Sequence, residues 1–256
     1  MTAHARTGEA DGILTVTLDR DEKRNAISPE ITATLWDAVR ELSGRDELRA
    51  MVITAVGRFF SAGIDMTAPS AANVAKDGRE FRALYRRHHL LYDEFEAVEK
   101  PVVLAAQGPC LGAGLEMACS CDFRFASETA RFELPEVRIG MIAGSGGTSR
   151  LTRLVGPHWA KWLAMAGRPV DAQQAVSMGL VHEVFPVEGF HEQVHQRVRE
   201  IIELPPQALG AAKVAVDMVA QVDDGTARRV ERALNTSLAF GDEFRTADAK
   251  WRSGQQ

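Results

Sequence analysis

Two glutamates stand in apolar surroundings where a carboxyl group can do proton chemistry. Glu116 lies between apolar neighbours at the start of a predicted helix, and Glu136 lies within the segment FELPEV. Apolar surroundings raise a carboxyl pKa, and a neighbouring carboxylate opposes ionisation of both groups, so such a pair can supply a general base and a general acid. Two other interpretations stay open: Glu116 stabilises a helix N-terminus, or Glu136 forms a salt bridge with Arg131 or Arg138.

Two glycine-containing turns follow predicted strands. GRFFSAGIDM, residues 57–66, comes after the strand at 50–56, and GPCLGAGLEMACSCD, residues 108–122, comes after the strand at 102–106. Small residues let a ligand approach the main chain, and free N–H groups at a helix start favour developing negative charge. Together the turns can form an oxyanion site with paired donors. From glycine content alone they can equally be ordinary tight connections.

Three common glycine or serine motifs are missing. Met117 stands where GxGxxG requires its third glycine, no GxxxxGK[ST] occurs, and the segment around Ser145 does not match GxSxG. Dinucleotide-binding, P-loop and serine-hydrolase sites are therefore unsupported by the sequence.

A competing motif of another class is HEQVH, which spans His191, Glu192 and His195 and matches the HExxH of zinc peptidases. On a helix it places two imidazoles one turn apart, with a glutamate available as a base. No third ligand stands at a recognised spacing, although Glu200 or Glu203 could serve. The neighbouring apolar positions predict an ordinary solvated helix, so a zinc peptidase is only an alternative and no metal site is predicted.

Strands and helices alternate in the front half of the chain. Alternating or continuous apolar runs predict strands at 13–18, 50–56 and 102–106, and Ser28 followed by Pro29 predicts a helix that ends near Gly44. The back half has a short predicted strand at 180–185 and is otherwise mainly helical. Its predicted helices lie at 188–203, 206–221 and 226–240. A long amphipathic helix before the third strand is predicted to bury Phe81, Leu84, Tyr85, His88, Leu91, Tyr92 and Phe95.

Composition limits the possible partners. The chain has 30 Lys and Arg against 35 Asp and Glu, a formal net charge of −5, and 45% hydrophobic residues. This is typical of a globular protein. Because no broad basic surface is available, neither nucleic acid nor membrane is expected as a partner. No apolar leader or span is evident, which predicts a cytoplasmic location. The three cysteines are predicted to be buried free thiols.

The two turns and the two glutamates, taken in order, resemble the enoyl-CoA hydratase/isomerase family, also called the crotonase family. The matching segments are LDRDEKRNAIS (18–28), GRFFSAGIDM, GPCLGAGLEMACSCDFRFAS (108–127) and FELPEVRIGMIAGSGGTSRL (132–151). The resemblance covers about residues 13–185. It implies an α/β fold, a crotonase-like β-β-α spiral with a C-terminal helical trimerisation region. The implied core is 1–200 and the helical region 201–256, both within one functional domain, assembled as a homotrimer or homohexamer.

The resemblance also implies the roles of individual residues. The backbone N–H groups of Ile64 and Ala113 would hold a thioester oxygen, Glu116 and Glu136 match the two catalytic glutamates, and Gly144 would lie near the water. The substrate would be an acyl-CoA, so coenzyme A enters as part of the substrate and no separate cofactor is expected. The implied substrate-binding residues are Lys23, Arg24, Ala26, Ala62, Gly63, Ile64, Asp65 and Met66.

The implied reaction is that of an enoyl-CoA hydratase, a hydro-lyase of fatty acid metabolism. An isomerase, in which Glu136 alone moves a proton, is the nearest alternative, and another CoA-thioester hydrolase or lyase of this fold is a further one. A non-catalytic acyl-CoA-binding protein is the third. The sequence departs from the family at Ala113, where glycine is frequent, and at Ala143, where proline is common.

Overall fold

The computed structural model describes residues 4–68 and 75–253, apart from the side chains of Leu84, Arg87 and His88. Its strands are β1 Ala5–Ala10, β2 Ile13–Leu18, β3 Ala50–Ala55, β4 Val102–Ala106, β5 Cys110–Leu111, β6 Phe123–Ser127, β7 Arg131–Glu133, β8 Val170–Asp171 and β9 Glu183–Phe185. In the described residues they form a six-stranded sheet, in the order β1-β2-β3-β4-β6-β9, and a three-stranded sheet, in the order β5-β7-β8.

The larger sheet is parallel apart from its first hairpin. β1 and β2 are antiparallel, whereas β2, β3, β4, β6 and β9 run in the same direction. Every residue of β3 and β4 is buried, which explains why they appear in the sequence as continuous apolar runs. Because neighbouring parallel strands end at the same edge, the glycine turns that follow β3 and β4 leave the sheet side by side.

The helices are α1 Pro29–Gly44, α2 Gly78–Ala97, α3 Ala113–Cys119, α4 Ser149–Ala164, α5 Ala172–Ser177, α6 Phe190–Ile202, α7 Pro206–Val219, α8 Asp224–Ala239 and α9 Asp242–Arg252. The predicted start of α1 is confirmed, since the Ile31 amide donates to Ser28 Oγ at 3.3 Å. On one face of the sheet, α6 packs Phe190, Val194 and Val198 in a cluster with strand residues. On the other face α1 and α2 contribute to the larger core.

The predicted buried face of α2 is confirmed in its second half. Leu91, Tyr92 and Phe95 are fully buried, whereas Phe81 and Tyr85 are half-buried. The prediction for Leu84 and His88 lies outside the described residues. The first half of α2, with Phe81 and Tyr85, is therefore only partly covered and does not belong to the buried core.

The C-terminal helices are attached to the core by a buried cation. Lys213 Nζ on α7 lies 2.8 Å from Asp122 Oδ2 and donates to the Phe95 carbonyl at 2.7 Å. The predicted helices of the back half are present, with small differences at their ends, and the predicted strand at 180–185 is shorter, at Glu183–Phe185. The predicted boundary at residue 200 falls inside the last turn of α6 and stays a prediction.

Candidate active site

The turn after β3 is fixed by main-chain hydrogen bonds. The Ile27 amide donates to the Gly63 carbonyl at 2.8 Å, and the Asp65 amide donates to the Ile27 carbonyl at 3.0 Å. Ile27 therefore bonds the residues on both sides of Ile64 and leaves the Ile64 amide out of the pairing. Gly63 has φ +94°, a backbone conformation that residues with a side chain rarely adopt.

The turn after β4 lies directly against the first turn. The Leu111 amide donates to the Ser61 carbonyl at 2.9 Å, and the Ser61 amide donates to the Pro109 carbonyl at 3.2 Å. A Cβ atom on Gly63 would lie 3.5 Å from the Ala113 nitrogen, so the turns are in contact where both predicted donors lie. Ala113 is the first residue of α3, and Gly112 takes the left-handed φ of 52°. Alanine is tolerated at 113 because glycine at 112 makes the bend.

The main-chain N–H groups of the two predicted donors are not used inside the described part of the fold. Within residues 4–68 and 75–253, neither the Ile64 nor the Ala113 nitrogen has a hydrogen-bond acceptor. The N–H groups at a helix start lack intrahelical partners, and the Ile64 residue is 40% exposed. Both amides therefore keep an unpaired N–H group, that of Ile64 in an exposed residue and that of Ala113 in a buried one.

The side chain of Asp65 has partners inside the fold. Its carboxylate is buried, with Oδ2 2.5 Å from Arg20 Nη1 and Oδ1 accepting from the Thr67 amide at 2.8 Å. Hydrogen bonds from Thr67 and the Arg20 charge overcome burial and hold the pKa of Asp65 well below its usual range. The carboxylate thus anchors the turn that carries Ile64. Contact between the substrate and the segment Ala62, Gly63, Ile64, Asp65 and Met66 stays a prediction.

Glu116 faces inward from the first turn of α3 and is 3% exposed. Its Oε1 atom accepts from the Ser145 amide at 2.6 Å and from the Gly147 amide at 3.2 Å. A Cβ atom on Gly147 would lie 3.1 Å from the same oxygen. The loop before α4 therefore approaches Glu116 closely because glycine stands at 147.

Glu136 begins the short 3₁₀ turn Glu136–Ile139 and lies beside the second glycine turn. Its Oε1 atom would be 2.7 Å from a Cβ on Gly112, so the carboxyl group lies next to the Ala113 amide. Its Oε2 atom is buried and has no hydrogen-bond partner among the described residues. The alternative for Glu136, a salt bridge with Arg131 or Arg138, is not formed: Arg138 pairs with Glu133 instead, and Arg131 has no ion pair within residues 4–68 and 75–253.

Burial raises the pKa of both acids, and a neighbouring carboxylate adds to each shift, Glu136 for Glu116 and Glu133 for Glu136. Burial raises the pKa of Glu116 to about 7, the charge of Glu136 adds to the shift, and the Ser145 and Gly147 amides oppose it. Burial also raises the pKa of Glu136. A carboxyl group that ionises near neutral pH is suited to general acid–base work.

The segment predicted to meet the CoA head group lies on the open side of the first turn. Lys23 and Arg24 are exposed, and Ala26 is half-buried. The Arg24 guanidinium lies 5.5 Å from the centre of the Phe59 ring, and the Arg24 carbonyl accepts from the Ala62 amide at 2.9 Å. Both predicted binding segments are therefore adjacent, while their contact with CoA stays a prediction.

The HExxH motif lies on α6, as predicted, but its side chains have other partners. His191 Nδ1 lies 3.2 Å from Thr54 Oγ1, and His195 Nε2 lies 3.5 Å from Thr15 Oγ1. Glu192 pairs with Arg199 at 2.6 Å. In the part of the chain that the structure describes, no group of three His, Cys, Asp or Glu side chains is arranged to hold a metal ion. The histidines pack α6 against the sheet, which removes the support for a zinc peptidase.

Several residues that shape the site were not found from the sequence. The Ser145 and Gly147 amides hold Glu116, and Asn25 Nδ2 donates to the Val56 carbonyl at 2.8 Å and so secures the first turn. Tyr85, predicted as a packing residue, lies with its hydroxyl oxygen 3.0 Å from where a Gly144 Cβ would be. Its hydroxyl group on an otherwise apolar stripe was the available signal. The amide donors have no side-chain signal at all.

Comparison with known proteins shows the family of this chain. The family model for enoyl-CoA hydratase/isomerase matches residues 8–251, and the chain belongs to that family. It is 34% identical over 239 residues to the short-chain-enoyl-CoA hydratase of Clostridium acetobutylicum, covering 93% of this chain and 88% of the relative. It is 35% identical over 231 residues to the 2,3-dehydroadipyl-CoA hydratase of Escherichia coli, covering 90% and 88%.

Solved structures share the whole architecture. The crystal structure of the enoyl-CoA hydratase from Bacillus anthracis superposes with a TM-score of 0.91 at 27% identity, covering 98% of this chain and 97% of that one. The predicted crotonase-like α/β fold is thereby confirmed. None of the helices in the described ranges is long and apolar enough to cross a membrane.

Proposed function

We propose that this protein is an enoyl-CoA hydratase that adds water across the α,β-double bond of an acyl-CoA thioester. The observation that carries the proposal is the juxtaposition of two differently held carboxyl groups with a pair of glycine turns. Glu116 accepts hydrogen bonds from the Ser145 and Gly147 amides, and Glu136 lies against Gly112 beside the start of α3. The names of the relatives support the same reaction.

The oxyanion half of the site acts on the thioester carbonyl. As water adds to Cβ, negative charge moves onto the carbonyl oxygen, and the Ile64 and Ala113 amides stabilise it without solvent reorganisation. Removing one such donor typically costs about 3 kcal/mol of barrier. Coenzyme A enters as part of the substrate, with Lys23 and Arg24 proposed at its phosphate end.

The acid–base half divides the proton transfers. Amide donors favour the ionised form of Glu116, which takes a proton from water as the oxygen bonds to Cβ. Glu136 Oε2, buried without a donor, favours the neutral acid, which delivers its proton to Cα. One water is consumed, and a proton moves from Glu116 back to Glu136 to restore the starting state.

The assembly and location are proposed on the same basis. The C-terminal helices leave large apolar side chains exposed, with Phe240 at 74% and Trp251 at 70%. Such surface is typical of a protein interface, and we propose a homotrimer or homohexamer of this chain. The protein is proposed to act in the cytoplasm, in fatty acid metabolism.

The test is a panel of enoyl-CoA thioesters assayed by loss of the conjugated absorbance. Glu116→Gln and Glu136→Gln are each expected to lower hydration by about 10²- to 10⁴-fold, the usual contribution of a general base or acid. Glu94→Gln, on the exposed side of α2, is the control and is expected to keep full activity. If the protein moves the double bond without adding water, and Glu136→Gln abolishes that migration while Glu116→Gln keeps it, the protein is an isomerase. Binding of enoyl-CoA without any turnover would contradict both reactions.

A further inference from the structure

Tyr85 on α2 packs against the loop that holds Glu116. A Cβ atom on Gly144 would lie 3.0 Å from the Tyr85 hydroxyl oxygen and 3.1 Å from its ring carbon Cε1. The ring is stacked on Phe81, with 5.2 Å between centroids, and contacts His89 edge-on at 4.6 Å. Neighbouring rings therefore fix the position of the phenol on the main chain of Gly144.

The residue after Gly144 is the stronger donor to Glu116. The Ser145 amide lies 2.6 Å from Glu116 Oε1, so the phenol is one peptide away from the bond that holds the carboxylate. Burial raises the pKa of Tyr85, and hydrogen bonds with the Ser145 side chain and the Gly144 backbone partly oppose the shift. The phenol therefore keeps its proton at neutral pH and acts through hydrogen bonding rather than as a base.

The same helix holds the other end of this loop. Arg150 Nη2 lies 2.5 Å from Asp93 Oδ1 and 2.6 Å from Glu96 Oε2. Its Nη1 atom donates to the Ser145 carbonyl at 3.4 Å. Helix α2 thus contacts residues 144–150 through an ion-pair cluster at one end and the phenol at the other.

We infer that Tyr85 is a positioning residue whose hydroxyl group holds Gly144 and Ser145 in place and so keeps the Ser145 amide on the Glu116 carboxylate. The inference rests on the proposed role of Glu116 as the base. An amide donor that is held on a carboxylate favours its ionised form. Loss of the hydroxyl group weakens that support and makes Glu116 harder to ionise.

Other titratable or charged groups near Glu116 also affect its pKa and must stay unchanged in a pH experiment. They face it from the 3₁₀ turn, from α4, from α2 and from its own helix, and they are Glu136, Arg150, Tyr85, Tyr92 and Cys119. Replacing Tyr85 with phenylalanine leaves the other four groups in place, so a change in the Glu116 pKa can be assigned to the lost hydroxyl group.

The test compares Tyr85→Phe with Tyr92→Phe. The first change keeps the ring and removes the hydroxyl group, and it is expected to lower kcat for hydration about tenfold, the effect of one lost hydrogen bond. It is also expected to move the acid limb of the pH profile, near pH 7 in the unmodified protein, upward by at least half a unit. Tyr92→Phe removes the hydroxyl that donates to the Ala113 carbonyl at 3.0 Å. That variant is expected to lower kcat without moving the acid limb.

A second readout needs no turnover. The pKa of Glu116 is measured from the pH dependence of the unfolding free energy, by comparing each protein with its Glu116→Gln counterpart. An upward shift in Tyr85→Phe supports the inference even if no enoyl-CoA is hydrated, in which case only the proposed function fails. An unshifted Glu116 pKa in Tyr85→Phe overturns the inference, whatever happens to kcat or thermal stability.

Discussion

The glycine turns that follow β3 and β4 and the carboxyl groups that face them are positioned in different ways. The turns are fixed by main-chain bonds between Ile27, Ser61 and their neighbours, and the donors they present are amides. The carboxyl groups depend on burial and on a loop that reaches Glu116 from outside α3. The donors of the first region therefore do not titrate, whereas the carboxyl groups of the second respond to charge and pH.

The largest effect is expected from Gly112→Ala in the oxyanion region. The residue has φ +52°, and a Cβ atom would lie 2.7 Å from Glu136 Oε1. Activity is expected to fall about 10²- to 10³-fold, as for loss of an oxyanion donor. Gly8→Ala, which meets no atom within 4 Å, is the control for hydration assays. Equal activities of the two variants would show that the bend at 112 is not required.

The next effect concerns the ion pair that anchors the first turn. Asp65→Asn removes the buried charge that pairs with Arg20 and leaves Arg20 with a longer contact to Glu22 at 3.9 Å, so it is expected to lower the unfolding free energy by about 3 kcal/mol. Hydration is expected to fall as well, because the turn carries Ile64. Asp37→Asn, which breaks an exposed pair with Arg40, is the control. A change below about 1 kcal/mol in chemical denaturation, the size of a surface pair, would show that Asp65 is not an anchor.

In the carboxylate region, removing a charge is expected to raise the unfolding free energy, whereas Asp65→Asn is expected to lower it. The pKa of Glu116 is raised by burial from 4.5 to about 7, so the folded state keeps a proton that the unfolded state loses in this range. The contribution of Glu116 to the unfolding free energy is therefore fully present below pH 4.5 and is lost as the pH rises to about 7. Glu116→Gln is expected to be more stable than the unmodified protein by about 3 kcal/mol at pH 8. The difference should disappear at pH 4, and a difference independent of pH would contradict burial of the charge.

The smallest effect is the pH dependence of the reaction itself. Below the Glu116 pKa of about 7, kcat/KM is expected to fall about tenfold per pH unit, because the base becomes protonated. Glu136, whose pKa burial also raises, must carry a proton in the same reactive state, so its ionisation lowers kcat/KM as well. The Ile64 and Ala113 amides do not titrate, so they add no pH-dependent step to the kcat/KM profile. A flat profile between pH 5 and 8 would remove the carboxyl groups from the rate-limiting step.

The sequence predicted the parts of the fold that depend on local patterns. Buried strands such as β3 and β4 and the capped start of α1 were found because apolar runs and Ser28–Pro29 are visible in the chain. β1, at the edge of the sheet, was missed because its residues are almost all exposed. Its place depends on pairing with β2 rather than on its own pattern.

The site was predictable to the same extent. Glu116 and Glu136 were recognisable from their apolar neighbours and from their order along the chain after the glycine turns, and the structure places both carboxyl groups near those turns. The ion pair of Asp65 was not visible in the sequence, because its partner Arg20 is 45 residues away. The same holds for Tyr85, whose contact with Gly144 joins two segments that no local pattern connects.

The most direct test is a crystal structure of the protein with an unreactive acyl-CoA thioester. The thioester oxygen is expected to lie 2.7 to 3.1 Å, roughly hydrogen-bond distance, from both the Ile64 and Ala113 nitrogens. Glu116 and Glu136 should then flank Cβ and Cα of the acyl group. An oxygen bound elsewhere, or an acyl chain that passes only one of the two carboxyl groups, would contradict the account.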